Sequence, residues 1–132
     1  MRRESIDTNV LLRLVLNDVP EQHALAKKLI TIPNTRFDVA DLAMVEFIFA
    51  LDRHYQMTRM QIFEVVRGAM AISNINCNRP LFESALGLYV RCPALSIEDC
   101  CLSAYAGLNE AVPLWTFDKK LARQSETAKE LR

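Results

Sequence analysis

The chain has 132 residues, half of them apolar, with sixteen acids balanced by sixteen bases. That length supports one domain with a real core and leaves little for a second, so residues 1–132 are expected to form a single unit. Zero net charge excludes a globally basic nucleic-acid binder, though not a local basic rim around an acidic centre; the longest stretch without charge, Gly68 to Asn78, is far short of a membrane span.

The opening Met1-Arg2-Arg3-Glu4 moves straight into strand pattern with no apolar leader, so the expected location is the cytoplasm. Cys77, Cys92, Cys100 and Cys101 show no paired CxxC spacing and read as small buried thiols in a reducing compartment rather than a zinc cage or a disulfide framework.

The first strand, Arg3 to Ile6, ends at Asp7, and a short helix follows from Val10 to Leu16. Asp18 with Glu21 has capping-box spacing and opens a second helix running to about Ile32, which Pro33-Asn34 breaks. Arg36 to Ala40 alternates as a strand, and Asp41 to Tyr55 is a long helical run. Thr58 with Gln61 caps the next helix, Ile72 to Cys77 has strand character, and Asn78-Arg79-Pro80 starts a helix that ends by Cys92-Pro93. The last part reads as a helix from Ile97 to Leu108, a strand from Val112 to Phe117, and a helix from Lys119 to Arg123. Strands alternating with helices predict an α/β class, a central parallel sheet with helices on both faces in three α/β/α layers. The three glycines form neither GxGxxG nor a P-loop, and His23 and His54 lie in helical runs without a catalytic motif.

The chemistry must therefore come from carboxylates, and four sit in unusual places. Asp7 and Asp118 each close a strand, Asp99 begins a helix, and Glu46 lies on a helix that is apolar nearly all round. Each also has an ordinary role open to it. Asp7 and Asp118 stand where helices are N-capped, Asp99 follows Ser96 at capping-box distance, and Glu46 could pair with Arg53 or lie exposed. Glu98 points away from Asp99 and reads as surface. Carboxylates gathered at the carboxyl edge of a parallel sheet repel one another, and a divalent cation is the natural way to hold them together ionised. Oxygen donors without Cys or His point to Mg²⁺, with Mn²⁺ as the other fit.

Several segments in this order resemble the PIN domain, and within it the single-domain VapC-type ribonuclease toxins of bacterial toxin-antitoxin pairs. They are Ile6-Asp7-Thr8-Asn9-Val10-Leu11, the Val45-Glu46-Phe47 helix, Ile97-Glu98-Asp99 and Leu114-Trp115-Thr116-Phe117-Asp118. The resemblance implies a three-layer PIN-like fold in which Asp7, Glu46, Asp99 and Asp118 bind Mg²⁺ and cleave RNA. It further implies Asn9 and Thr116 as polar supports, a cognate antitoxin and a homodimer. Asp7 and Asp99 are the first expected metal ligands, with Asp118 and Glu46 completing the shell. Arg13, Lys119, Lys120 and Arg123 are expected on a basic rim for RNA, against the alternative of solvated helix faces. The chain departs from the family pattern at Cys100, where alanine is common, and after Arg123, where a short polar end puts the last edge strand in doubt. Rival readings are a PIN-like module that binds without cutting, and another Mg²⁺ phosphohydrolase. Asp7-Thr8-Asn9 lacks the second aspartate of a DxD phosphatase, and no lysine completes a receiver domain.

Overall fold

The computed structural model describes residues 1–132. By its internal contacts the chain divides into two compact units, Met1–Asn78 and Arg79–Arg132. All strand pairing in both is parallel, as the alternation of strands and helices predicts.

The first unit runs β1 (Arg2–Ser5), α1 (Thr8–Val15), α2 (Pro20–Ile30), β2 (Thr35–Asp38), α3 (Asp41–Arg53), α4 (Arg59–Met70) and β3 (Ile75–Asn76). Its three strands lie in the order β1-β2-β3, with Ser5 beside Asp38 and Asp38 beside Asn76 at their carboxyl ends. Period-two alternation sends Thr35, Phe37, Val39 and Ile75 into the core. Leu11, Leu12, Met44, Phe47, Ile48, Leu51, Ile62 and Val66 supply the buried helical side chains. Arg3, Arg36, Asp38 and Asn76 take the other face of the sheet. Asp38 is bonded there by Arg3 and by Asn76 at 3.0 Å, with Arg36 Nε at 3.5 Å. The Arg3 bond, helped by Asn76 and the two positive charges, holds the Asp38 carboxyl below the usual carboxylate range.

Local signals set most boundaries. Thr58 and Gln61 close a reciprocal capping box on α4, as their spacing predicts. Asn34, the turn residue before β2, has φ 55°, a left-handed conformation that asparagine tolerates. The box expected of Asp18 and Glu21 does not form: the residue at the start of α2 is Val19, without a side-chain cap. Asp18 is drawn instead to Arg13 Nη1, at 2.9 and 3.0 Å, and to the Tyr55 hydroxyl, which donates to it at 2.6 Å. The expected strand at Ile72 to Cys77 shrinks to two residues, because Ile72 still belongs to the turn that ends α4.

The second unit runs α5 (Arg79–Arg91), α6 (Ile97–Leu108), β4 (Leu114–Thr116), α7 (Lys119–Gln124) and β5 (Ala128–Glu130). Buried Leu81, Phe82, Ala85, Leu86 and Tyr89 on α5 accompany Ile97, Cys100, Ala104 and Ala106 on α6. The last edge strand that the polar ending put in doubt is present: β5 pairs with β4, Trp115 beside Lys129. Three hydroxyls anchor it. Buried Ser103 and Ser125 are hydrogen-bonded to each other, and Thr127 Oγ1 lies 3.0 Å from both. Gly107 allows the approach, since a Cβ there would stand 3.3 Å from the Thr127 methyl. No helix of the protein is long and apolar enough to cross a membrane.

Candidate functional site

In the first unit, Ser5, Ile6, Asp7, Thr8, Asn9, Ala40, Leu42, Ala43 and Glu46 line a cleft of about 570 Å³. It opens where β1 hands over to α1 and where α3 begins. Asp7 does what an aspartate at such a junction ordinarily does: one carboxylate oxygen accepts from the Val10 amide at 2.9 Å and caps α1. That leaves its second oxygen free of the cap, and Asp7 lines both this cleft and a neighbouring one between α1 and α2. Glu46 enters the same cleft from the second turn of α3. It is exposed rather than enclosed by apolar groups, because Met44, Phe47, Ile48 and Leu51 fill the buried side of the helix. It makes no pair with Arg53, whose guanidinium lies 4.7 Å from the centre of the Phe49 ring. Its contact is Thr8, whose hydroxyl lies 3.3 Å from Glu46 Oε2 and 3.1 Å from the Ala43 carbonyl oxygen. Thr8 is the supporting residue that sequence reasoning missed; its signal was its place immediately after a helix-capping aspartate. Asn9 borders this cleft and a second one between α1 and α2.

In the second unit, Asp99 lies half-buried in the first turn of α6. Ser96 caps that helix by accepting from the Asp99 amide at 3.1 Å. The reciprocal bond is not made, so the Asp99 carboxylate holds no protein partner. Ser103 and Ala106 are buried and Glu98 is exposed, as helical spacing predicts. Asp118 caps α7, its Oδ1 accepting from Lys120 at 2.8 Å and Leu121 at 3.3 Å. Thr116 holds it through the backbone, its hydroxyl accepting from the Asp118 amide at 3.0 Å.

Asp7 and Glu46 thus share one cleft, while in neither unit do three or more Asp, Glu, His or Cys side chains come within reach of a single ion. The donor chemistry suits a hard cation: every available group is a carboxylate or a neutral oxygen. Of the expected basic rim, Lys119, Lys120 and Arg123 are exposed. Arg13 is engaged. Its side chain keeps 21 % of its exposure and bonds Asp18, Tyr55 at 3.1 Å and Gln22 at 2.9 Å. The Tyr55 bond, then the contact with Asp18, raises its pKa further, and the Tyr55 and Arg13 bonds hold Asp18 below its usual range.

A parallel α/β protein with acids capping its helices defines a broad class. The particular family is the PIN domain, to which this chain belongs: the family's model matches residues 5–126 and so takes in all four acids. Its α/β architecture is of the three-layer PIN-like class that the sequence predicts. PIN domains are generally metal-dependent nucleases. Among curated proteins none matches the chain. Two solved structures are distantly similar. One is PAE2754 from Pyrobaculum aerophilum, 17 % identical over 98 % of this chain and 83 % of that one, with a TM-score of 0.36. The other is VapBC2 from Rickettsia felis bound to a DNA fragment from their promoter, 11 % identical over 99 % and 98 % of the two chains, with a TM-score of 0.38. Likenesses so remote say nothing of what this chain binds.

Proposed function

We propose that the protein is a VapC-type endoribonuclease, a single PIN domain over residues 1–132 that hydrolyses RNA phosphodiester bonds with Mg²⁺ or Mn²⁺. The observation that carries the reading is the cleft at the start of α1. Within a family of metal-dependent nucleases, it offers two carboxylates from different helices, one fixed by a cap and the other by Thr8.

In this reading Asp7 and Asp99 are the direct ligands, Glu46 and Asp118 complete the set, and Asn9 and Thr116 support them. Bound there, the cation would acidify a water and offset charge on the phosphate oxygens. The chain's own part is positional. The caps on Asp7 and Asp118 use one oxygen each and hold the other in a fixed direction. Thr8 restrains the longer Glu46 side chain, and the Asp99 carboxylate has no competing bond to break. The first-turn amides of α3 carry no side-chain cap and lie on the same cleft, a favourable end for a phosphate. No protein nucleophile is needed. Lys119, Lys120 and Arg123 would meet the RNA backbone.

A small cognate antitoxin and a second copy of the chain are the proposed protein partners, and the cytoplasm the proposed location. On α3, Leu42 is 71 % exposed and Phe49 38 %, apolar surface of the kind that partners cover. The test is cleavage of single-stranded RNA by purified protein. Cutting should require Mg²⁺ or Mn²⁺, stop with chelator and be lost in Asp7→Asn. Cutting that survives both treatments, or binding with no cutting under any metal, overturns the reading.

A further inference from the structure

We infer that the exposed face of the β4–β5 ribbon, with the bend that follows β4, is a base-stacking platform for single-stranded RNA, with Trp115 on the strand and Phe117 in the bend as the stacking rings. The inference takes its substrate class from the nuclease reading above and adds the surface that would grip the strand. Trp115 is 54 % exposed and Phe117 is 77 % exposed, in a unit whose other aromatic side chains include the fully buried Phe82. Trp115 lies on β4 and Phe117 in the bend that follows it, two residues on. Bases unstacked from one another can each find an exposed ring there, whereas bases in a duplex are already stacked.

The charge around the rings suits a polyanion. Lys129 lies opposite Trp115 in the ladder, its Nζ 5.5 Å from the centre of the indole ring. A lysine over an exposed ring is held loosely, so a base can take its place while the ammonium turns to a phosphate. Lys119, Lys120 and Arg123 are exposed on the helix that follows, and neither they nor Lys129 take part in an ion pair. Lys129 therefore borders Trp115, and three more cations without carboxylate partners follow on α7, against exposed Asp118 and Glu126. An aliphatic protein partner would have no use for them. The platform also has a direction. Asp118 follows Phe117 directly, so a strand stacked on the rings runs its phosphates past one of the four acids proposed to bind metal.

Trp115 is the sole tryptophan of the chain, so intrinsic emission reads the site directly. The full chain in chelator, where cutting is off, is titrated with a ten-nucleotide single-stranded oligoadenylate and separately with heparin, a polyanion without bases. The expected result is quenching by the RNA and none by heparin. Trp115→Leu and Phe117→Leu should each weaken binding of the labelled RNA by about tenfold, while Trp115→Phe keeps most of it. Lys129→Gln should flatten the salt dependence. Equal quenching by heparin, or RNA binding that leaves the emission unchanged, overturns the platform. So does an emission shift that tracks protein concentration without RNA, which would make this face a contact between copies of the chain. If the leucine variants fail to fold by circular dichroism, the wild-type quench and Trp115→Phe decide. The two readings fail separately. Quenching by RNA with no cleavage under Mg²⁺ or Mn²⁺ sinks the nuclease and leaves the platform; cleavage with unchanged KM in folded leucine variants sinks the platform and leaves the nuclease.

Discussion

The Thr8 hydroxyl lies 3.3 Å from Glu46 and 3.1 Å from the Ala43 carbonyl, so one side chain in the first turn of α1 ties the helix capped by Asp7 to the helix that carries Glu46. Thr8→Val keeps the shape and removes the tie. Metal affinity or cleavage should fall by about 10–100-fold, the usual cost of losing a partner of a ligand. Thr8→Ser should restore most of it. Isothermal titration with Mn²⁺ checks this, and equal affinities for wild type and Thr8→Val would refute it.

The double duty of Asp7 separates two substitutions that activity alone would confuse. Asparagine caps helices about as well as aspartate, so Asp7→Asn should leave the melting temperature nearly unchanged while abolishing metal-dependent cutting. Asp7→Ala should also lose about 1 kcal/mol of stability as α1 loses its cap. Thermal melts of the two proteins side by side give the answer. A matching loss of stability in both would argue against the capping role.

Acid should weaken the first unit through two carboxylates. Asp38, bonded by Arg3, and Asp18, bonded by Tyr55 and Arg13, both have pKa values lowered by folding. Groups of that kind contribute stability that is complete above their unfolded pKa and is lost as pH falls through the folded value. The loss should therefore set in below about pH 4. Denaturant melts between pH 2 and 6 should show a slope that Asp38→Asn and Asp18→Asn each reduce. For Tyr55→Phe, carboxyl NMR should find the Asp18 pKa moved up toward its ordinary range; an unmoved value would mean that the hydroxyl contributes little.

Phe47 and Glu46 are neighbours on α3 with opposite duties, one fully buried and the other on the cleft. Phe47→Ala should cost about 3–5 kcal/mol by leaving a cavity among packed helices. Glu46→Gln should leave stability within about 0.5 kcal/mol and act on metal binding alone. Urea denaturation distinguishes the two.

Most elements were legible because their signals are local. Thr58 and Gln61 wrote the start of α4, Ser96 the start of α6, and Asp118 the start of α7. Asp18 misled for a physical reason. Its spacing to Glu21 is right for a cap, but Arg13 and Tyr55 compete for its carboxylate, and Tyr55 lies 37 residues away. The sequence puts β5 in doubt for a like reason, since its anchor is not an apolar run but hydroxyls on Ser103, Ser125 and Thr127 that only the fold brings together. At the cleft, the sequence marks Asp7 by its place after a strand, yet it places Glu46 on an apolar helix without saying which face turns to water. The buried side of α3 was already filled by Met44, Phe47, Ile48 and Leu51, and that settles it.

The Ser103, Ser125 and Thr127 trio has a consequence for how this chain can change. The three oxygens answer one another, with two backbone bonds besides, from the Thr127 amide to Ser125 Oγ at 3.2 Å and from Thr127 Oγ1 to the Ser103 carbonyl at 3.1 Å; replacing one strands its neighbours, whereas replacing all three by small apolar residues leaves only those backbone groups to be answered. In a randomised library those positions should move as a block, with single replacements rare among survivors and concerted ones common.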